Sequence, residues 1–247
     1  MIKLFWANVL LILCLVGCSE SNKDQKQADV VSFAFPAVEK PTDTLNVGFL
    51  IMEGVYNTEL TAPMDIFQHT IYHTDNGMKV FTIAKSLDPI RTFEGLRILP
   101  DYSYLQDYPQ IDVLVVPSAE HHLDTDLEDS VMIDFVRQTA TNARFMTSHC
   151  DGAFVLAKAG ILDGFESTTF PSDIDAYQKM FPQLKVHRDV IFVHDDKFIT
   201  SAGGARSFDA SMYLVELLYG KKVADGVARG MVIDWNVEDV PSVVVSR

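Results

Sequence analysis

From residue 45 onward the chain alternates between two kinds of hydrophobic pattern. Short, nearly unbroken apolar runs, L-N-V-G-F-L-I-M (45–52), K-V-F-T-I-A (79–84), D-V-L-V-V-P (112–117) and R-F-M-T-S (144–148), read as strands buried on both faces. Between and after them, apolar positions recur at helical spacing over 62–72, 128–141, 153–159, 172–180, 207–219 and 222–232. Strands alternating with helices predict a mostly parallel sheet wrapped on both sides, an α/β fold. The stretch V-H-R-D-V-I-F-V-H-D-D-K-F-I-T (186–200) holds two β-rich runs that meet at Asp195-Asp196, the pattern of a hairpin or an edge extension.

Ahead of residue 45 the pattern is different. Residues 1–17 carry one charge, Lys3, followed by an apolar run too short for a comfortable membrane span, as in a secretory signal peptide. It ends in L-V-G-C (15–18), which resembles the lipobox of bacterial lipoproteins. That reading, preferred over an ordinary cleaved leader or an uncleaved anchor, makes Cys18 the lipidated first residue of the mature chain. Ser19 after it favours, by resemblance, the outer membrane facing the periplasm. Residues 18–44, polar and then proline-bearing, read as a lipidated N-terminus and tether, partly docked at Phe33 and Phe35. Residues 45–235 form the domain, and 236–247 a C-terminal tail.

Composition narrows the function. With 247 residues, 48% of them hydrophobic, the chain can bury one sizeable core without needing a second domain. Its net charge of −14 becomes one unit more negative when Lys3 leaves, which argues against nucleic acid as a partner and against electrostatic binding to anionic lipid. Membrane attachment then depends on acyl chains at Cys18. No glycine-rich phosphate loop, internal repeat or Cys/His cluster at metal-ligand spacing is present, so no cofactor and no metal are expected. The absence of a DNA-binding segment after Trp235, with the leader, speaks against a transcription factor.

Of three cysteines, Cys14 departs with the leader and Cys18 is acylated, so Cys150 is the one free thiol expected in the mature chain. It lies in T-S-H-C-D-G-A-F-V-L-A-K-A-G-I-L (147–162), between the end of a strand and the start of a helix, at the sheet edge where α/β proteins place ligands. A helix N-terminus there favours a thiolate, and its free N–H groups, Asp151's above all, can hold an oxyanion. A lone cysteine is more often a small core hydrophobe, but this position favours a nucleophile.

Four stretches carry a family resemblance: V-G-F-L-I-M-E-G-V-Y-N-T-E-L-T-A-P-M-D-I-F, D-V-L-V-V-P-S-A, S-H-C-D-G-A-F-V-L-A-K-A-G-I-L-D-G and F-I-T-S-A-G-G-A-R-S-F-D-A-S-M-Y-L-V-E-L-L-Y-G. They resemble the ThiJ/PfpI family, and within it the branch of isonitrile hydratases and the ligand domains of amidase-type regulators. The resemblance implies a flavodoxin-like three-layer sandwich of the class I glutamine amidotransferase type, and a tendency to form homodimers. It assigns Glu59 a role beside the catalytic sulfur, and places the backbone N–H of Ala119 with that of Asp151 in the oxyanion hole.

This chain also departs from the family pattern. Ser118-Ala119 stands where many relatives have Gly-Gly, which puts the backbone of that loop in question. Asp151 occupies the place where peptidase-like members carry His, which disfavours a Cys-His peptidase. T-T-F-P (168–171) replaces Thr-His-Trp in the pocket wall. Ser118, His122, Thr169 and Gly203 are candidate pocket residues, although histidines 121 and 122, in a loop, are more commonly solvated. His149 is expected to point away from the sulfur, and Arg206 and Asp209 to pair structurally.

The expected function is a cysteine-dependent hydratase, lyase or hydrolase acting on a small electrophile, isonitrile hydratase-like or glyoxalase-like. Cys150 attacks and Glu59 handles protons. The alternative is a non-catalytic thiol sensor, or a lipoprotein that binds a ligand or partner.

Overall fold

The computed structural model describes residues 33–247, so the leader at 1–17 and the lipidation site at Cys18 lie outside the described residues. Among the described residues twelve strands occur in chain order: β1 (Asn46–Leu50), β2 (Lys79–Ala84), β3 (Ile90–Arg91), β4 (Arg97–Ile98), β5 (Tyr102–Ser103), β6 (Val113–Val116), β7 (Phe145–His149), β8 (Glu166–Ser167), β9 (Lys185–Val186), β10 (Phe192–Asp195), β11 (Phe198–Ser201) and β12 (Ser242–Val244). Six α-helices accompany them: α1 (Asn57–His69), α2 (Ser130–Asn142), α3 (Gly152–Lys158), α4 (Ile174–Met180), α5 (Ser207–Tyr219) and α6 (Lys221–Met231).

Eight strands make the main sheet, in the order β12-β10-β11-β7-β6-β1-β2-β5. Every pairing in it is parallel except the β10–β11 hairpin. This is the mostly parallel, helix-flanked α/β fold that the alternating pattern predicts. The continuous apolar runs follow from burial of both faces. Val47 and Phe49 of β1, with Val113 and Val115 of β6, join the core formed with α1, α5 and α6, while Leu50, Leu114 and Val116 join the core beneath α2 and α3.

Three boundaries differ from those the pattern predicts. Helix α1 begins at Asn57, not near 62, so Glu59 stands in its first turn and Pro63 lies inside it. Pro63 removes only the N–H that would reach the Glu59 carbonyl, and the buried face of Leu60, Ile66 and Phe67 keeps the helix continuous. The C-terminal segment is a further strand of the sheet, β12, pairing parallel with β10. The hairpin lies inside the sheet, because β11 also pairs with β7, and Asp196 makes its turn at φ 58°. Phe35 stacks on Tyr213 with centroids 5.5 Å apart, and Phe33 meets the same ring edge-on at 6.0 Å.

This topology creates one crevice. From β1 the chain goes to β2 on one side, whereas β6, on the other side of β1, leads onward to β7. Oppositely directed crossovers leave a gap at the carboxyl ends of β1 and β6, the usual place for a ligand.

Candidate functional site

Four chain segments meet at that edge: the loop and first turn entering α1, residues 117–122 after β6, the β7–α3 elbow, and the glycine-bearing loop after β11. An isolated bridge, Val55 to Ala119, ties the first two, with Tyr56 N–H donating to the Ser118 carbonyl at 3.0 Å.

Cys150 sits at the elbow with φ 52°, a left-handed conformation that non-glycine residues seldom adopt and that surrounding structure must hold. Here the neighbours do so. Cys150 N–H donates to the Ser201 carbonyl at 2.9 Å. Gly203, at φ 75°, packs so closely that a Cβ there would lie 2.3 Å from the Cβ of Cys150. A Cβ on Gly152 would lie 2.0 Å from the Val116 carbonyl oxygen. Both glycines are therefore required by close approach.

Glu59 is buried, and its carboxylate is clamped: Oε2 accepts from Ser118 N–H at 3.0 Å and Oε1 from Gly204 N–H at 2.9 Å. Burial raises its pKa, opposed by these two N–H groups and by a hydrogen bond with Cys150. Asp151 makes no capping bond to the helix it precedes. Its Oδ2 instead accepts from Cys150 Sγ at 3.6 Å, and its Oδ1 from Thr169 Oγ1 at 3.2 Å. Burial first, then the charge of Asp173, lift the Asp151 carboxyl to about 7, where a side chain exchanges protons readily.

The thiol is not the low-pKa group that a helix N-terminus suggests. Burial pushes it up, the charges of Glu59 and Asp151 push it further, and the Ser118 hydroxyl and Asp151 N–H only partly offset them. The helix behind it is a mere seven residues, and two carboxylates beside the sulfur outweigh its dipole.

The loop after β6 corrects a second expectation. Ala119 N–H donates to Nδ1 of His122 at 3.2 Å, so it is already engaged, and the donor acting on the sulfur is the Asp151 N–H. His122 is fully buried, unlike the exposed His121, and burial lowers its pKa to about 3. With Nδ1 accepting, the neutral ring carries its proton on Nε2, which faces Met52 Sδ at 3.0 Å and Asp126 Oδ2 at 3.9 Å. Met52 and Asp126 also line a cleft of about 240 Å³ that does not include Cys150. Neither Ser118 nor Ala119 adopts positive φ, so the loop needs no glycine in this chain.

The remaining candidates divide. Thr169 Oγ1 lies 3.0 Å from the Cys150 carbonyl as well as near Asp151, which puts Thr169 and Gly203 in the site. His149 Nδ1 pairs with Ser201 Oγ at 2.8 Å, away from the sulfur, and Arg206 pairs with Asp209 at 2.7 Å. Ser118, expected in the pocket, is fully buried, and its hydroxyl makes no hydrogen bond of ordinary geometry. Sequence reasoning missed two groups. The Asp151 side chain was valued only for its N–H. The Tyr56 phenol, which lies in the field of Cys150, Glu120, Glu59 and Asp151, was not considered. Tyr56 immediately precedes the helix that carries Glu59, the one signal that could have found it.

The mostly parallel sheet with its flanking helices recurs among known proteins. Residues 46–217 match the DJ-1/PfpI family. The chain belongs to this family. It is 31% identical over 182 residues to the isonitrile hydratase of Pseudomonas putida, covering 73% of this chain and 75% of that one. It is 34% identical over 102 residues to the HTH-type transcriptional regulator CdhR of Pseudomonas aeruginosa, covering 41% of this chain and only 30% of the regulator. The crystal structure of Drosophila melanogaster DJ-1beta superposes with a TM-score of 0.67 at 22% identity, over 78% of this chain and 100% of that one. This DJ-1/PfpI domain thus shares sequence with a hydratase and with part of a regulator, and its fold with DJ-1beta.

Proposed function

We propose that this DJ-1/PfpI protein adds water to a small electrophile through a covalent adduct on Cys150, with an isonitrile as the first candidate. The observation that carries the reading is the contact between the Cys150 thiol and an Asp151 carboxyl poised near neutral pH. In the first step Asp151 accepts the thiol proton as Sγ bonds to the terminal isonitrile carbon, and that proton is returned to the same carbon, giving a thioimidate. Water then adds to this carbon and the C–S bond breaks. The sulfur recovers a proton and an N-substituted formamide leaves, with no net redox change. Glu59, held by two backbone donors, orients the thiol and shares its proton, and the Asp151 N–H steadies developing charge.

The test is to incubate the full chain with an alkyl isonitrile and follow formamide production by chromatography. Wild type should produce it and Cys150→Ala should not; equal, background rates in both would end the hydratase reading. Engagement of Ala119 N–H by His122, together with burial of Cys150 to 7% exposure, favours a second reading, in which the site binds or senses without turnover. A persistent Cys150 sulfinic acid under mild peroxide, with no turnover, would support it.

The membrane anchor is a separate part of the proposal. The short apolar leader and L-V-G-C ending at Cys18 support lipidation and an envelope location, and no helix among the described residues is long and apolar enough to cross a membrane. Cys18→Ser should abolish incorporation of a fatty-acid probe.

A further inference from the structure

The surroundings of Sγ set a rule for what can approach it. Asp151 Oδ2 lies 3.6 Å from the sulfur. The Glu59 carboxylate cannot swing away, because each oxygen is held by a backbone N–H. Tyr56, partly exposed, lies in the field of Glu120 as well as of the two inner carboxylates, while Asp173 acts on Asp151 and Glu94 on Glu59. Among the described residues neither Glu59 nor Asp151 forms an ion pair with a lysine, arginine or histidine. The Arg206 guanidinium, on the loop next to Gly204, is committed to Asp209 at 2.7 Å.

The Ser118 hydroxyl is neutral and under-satisfied. Ser118 Oγ is fully buried, makes no hydrogen bond of ordinary geometry, and has as its polar neighbour the Cys150 sulfur, whose thiolate it favours. A buried hydroxyl left unpaired costs stability unless something bonds it, so it marks where an uncharged polar atom of a ligand can sit.

We infer that the Cys150 site selects uncharged electrophiles and rejects anionic ones of the same size. This rests on the reading of Cys150 as the attacking group and specifies its substrate class. A carboxylate-bearing electrophile would enter among Glu59, Asp151 and the rim carboxylate Glu120 with no counter-charge. Repulsion by one ionised carboxylate about 6 Å away, at a dielectric between that of protein and water, slows reaction roughly tenfold or more. An amide, aldehyde or isonitrile pays no such penalty and can accept from, or donate to, the Ser118 hydroxyl.

Iodoacetamide and iodoacetate test this directly, since they match in size and leaving group and differ in charge. With either reagent Sγ forms an S–C bond, iodide leaves with the C–I electron pair, and the thiol proton passes to Asp151 or water. The full chain is labelled at neutral pH, and the rate is read by mass spectrometry on the peptide containing Cys150, which separates it from Cys14 and Cys18. The ratio of the amide rate to the carboxylate rate is normalised to that of free cysteine. We expect a normalised ratio of at least tenfold, reduced about twofold or more by Glu120→Gln at the rim and by added salt. A normalised ratio near one overturns the inference, as does failure of both reagents to label Cys150 until the protein is denatured. Labelling requires no turnover, so a protein that hydrates nothing yet keeps the ratio would lose the proposed activity and retain the charge rule.

Discussion

Asp151 and Asp195 are buried aspartates at opposite ends of β11, and they live in opposite electrostatic conditions. Asp195, with no side-chain exposure, accepts from Glu166 N–H at 2.8 Å and from Arg247 Nη2 at 2.7 Å. Burial works to raise its pKa, but the guanidinium and the N–H outweigh it and hold the carboxyl below the ordinary range. Asp151 has no cation; burial and the neighbouring Asp173 lift it to about 7. Burial alone therefore does not say what a carboxylate is for. A counter-charge makes it structural, and a thiol with further carboxylates makes it a proton exchanger.

The sharpest way to break the comparison is to remove the nucleophile. Cys150→Ala should lower turnover of an uncharged electrophile to background, a loss of roughly 10³-fold or more, because the described residues hold no second free thiol at the elbow. Thermal stability should change little, since the side chain is small and its hydrogen bond to Asp151 is long. Next in size is Asp151→Asn, which keeps the shape and removes the base; kcat should fall on the order of 10²-fold while the fold is retained. Equal activity in this variant would move the proton transfer to Glu59.

The fold was legible because both core layers print themselves on the sequence. Continuous apolar runs marked β1, β2, β6 and β7, and α5 was read with its observed ends, Ser207 and Tyr219. What stayed hidden depended on contacts between distant segments. Helix α1 starts five residues early because its packing overrides the proline signal, and β12 is three residues whose partner lies some fifty positions away. The same division holds in the site. Cys150 and Glu59 were found from motif and resemblance. The rise in the thiol's pKa, the capture of Ala119 N–H by His122 and the contact of the Asp151 carboxyl with the thiol depend on where loops fold back, which no local pattern records.

Arg247→Ala tests the structural end of β11. It leaves Asp195 buried beside an N–H donor and no cation, so Tm at neutral pH should fall by a few degrees, with no effect on chemistry at Cys150. The two aspartates should also give opposite pH slopes. The pKa of Asp195 is depressed in the folded state, so its stabilisation is present above the ordinary carboxylate value of 3.8 and is lost as pH falls through the folded value; the Arg247→Ala deficit should shrink in acid. Asp151 is raised, so the folded state holds its proton longer than the unfolded chain does. Stability from this group is fully present below 3.8 and is lost as pH rises towards about 7. Relative to wild type, Asp151→Asn should therefore gain stability between these two pH values. Thermal melts of both variants across this range would break the comparison if the slopes had the same sign.

The smallest expected effect concerns the hydroxyl donor that Asp151 has besides the Cys150 thiol. Thr169 Oγ1 lies 3.2 Å from Asp151 Oδ1 and 3.0 Å from the Cys150 carbonyl, and a hydroxyl with one proton serves mainly one of them at a time. If that proton goes to Asp151 for part of the time, it favours the ionised carboxylate and holds the Asp151 pKa lower than burial and Asp173 would leave it. Thr169→Val keeps the branched shape and deletes the donor, so the folded pKa of Asp151 should rise. A base that ionises later acts later: the acid limb of the pH profile of kcat should move to higher pH, by roughly half a unit to one unit, the shift expected from losing a modest hydrogen bond. The plateau rate should change much less, since neither Cys150 nor Asp151 has been removed. A lowered plateau with an unmoved limb would mean that Thr169 serves the Cys150 carbonyl and the geometry of the elbow, not the charge of its neighbour.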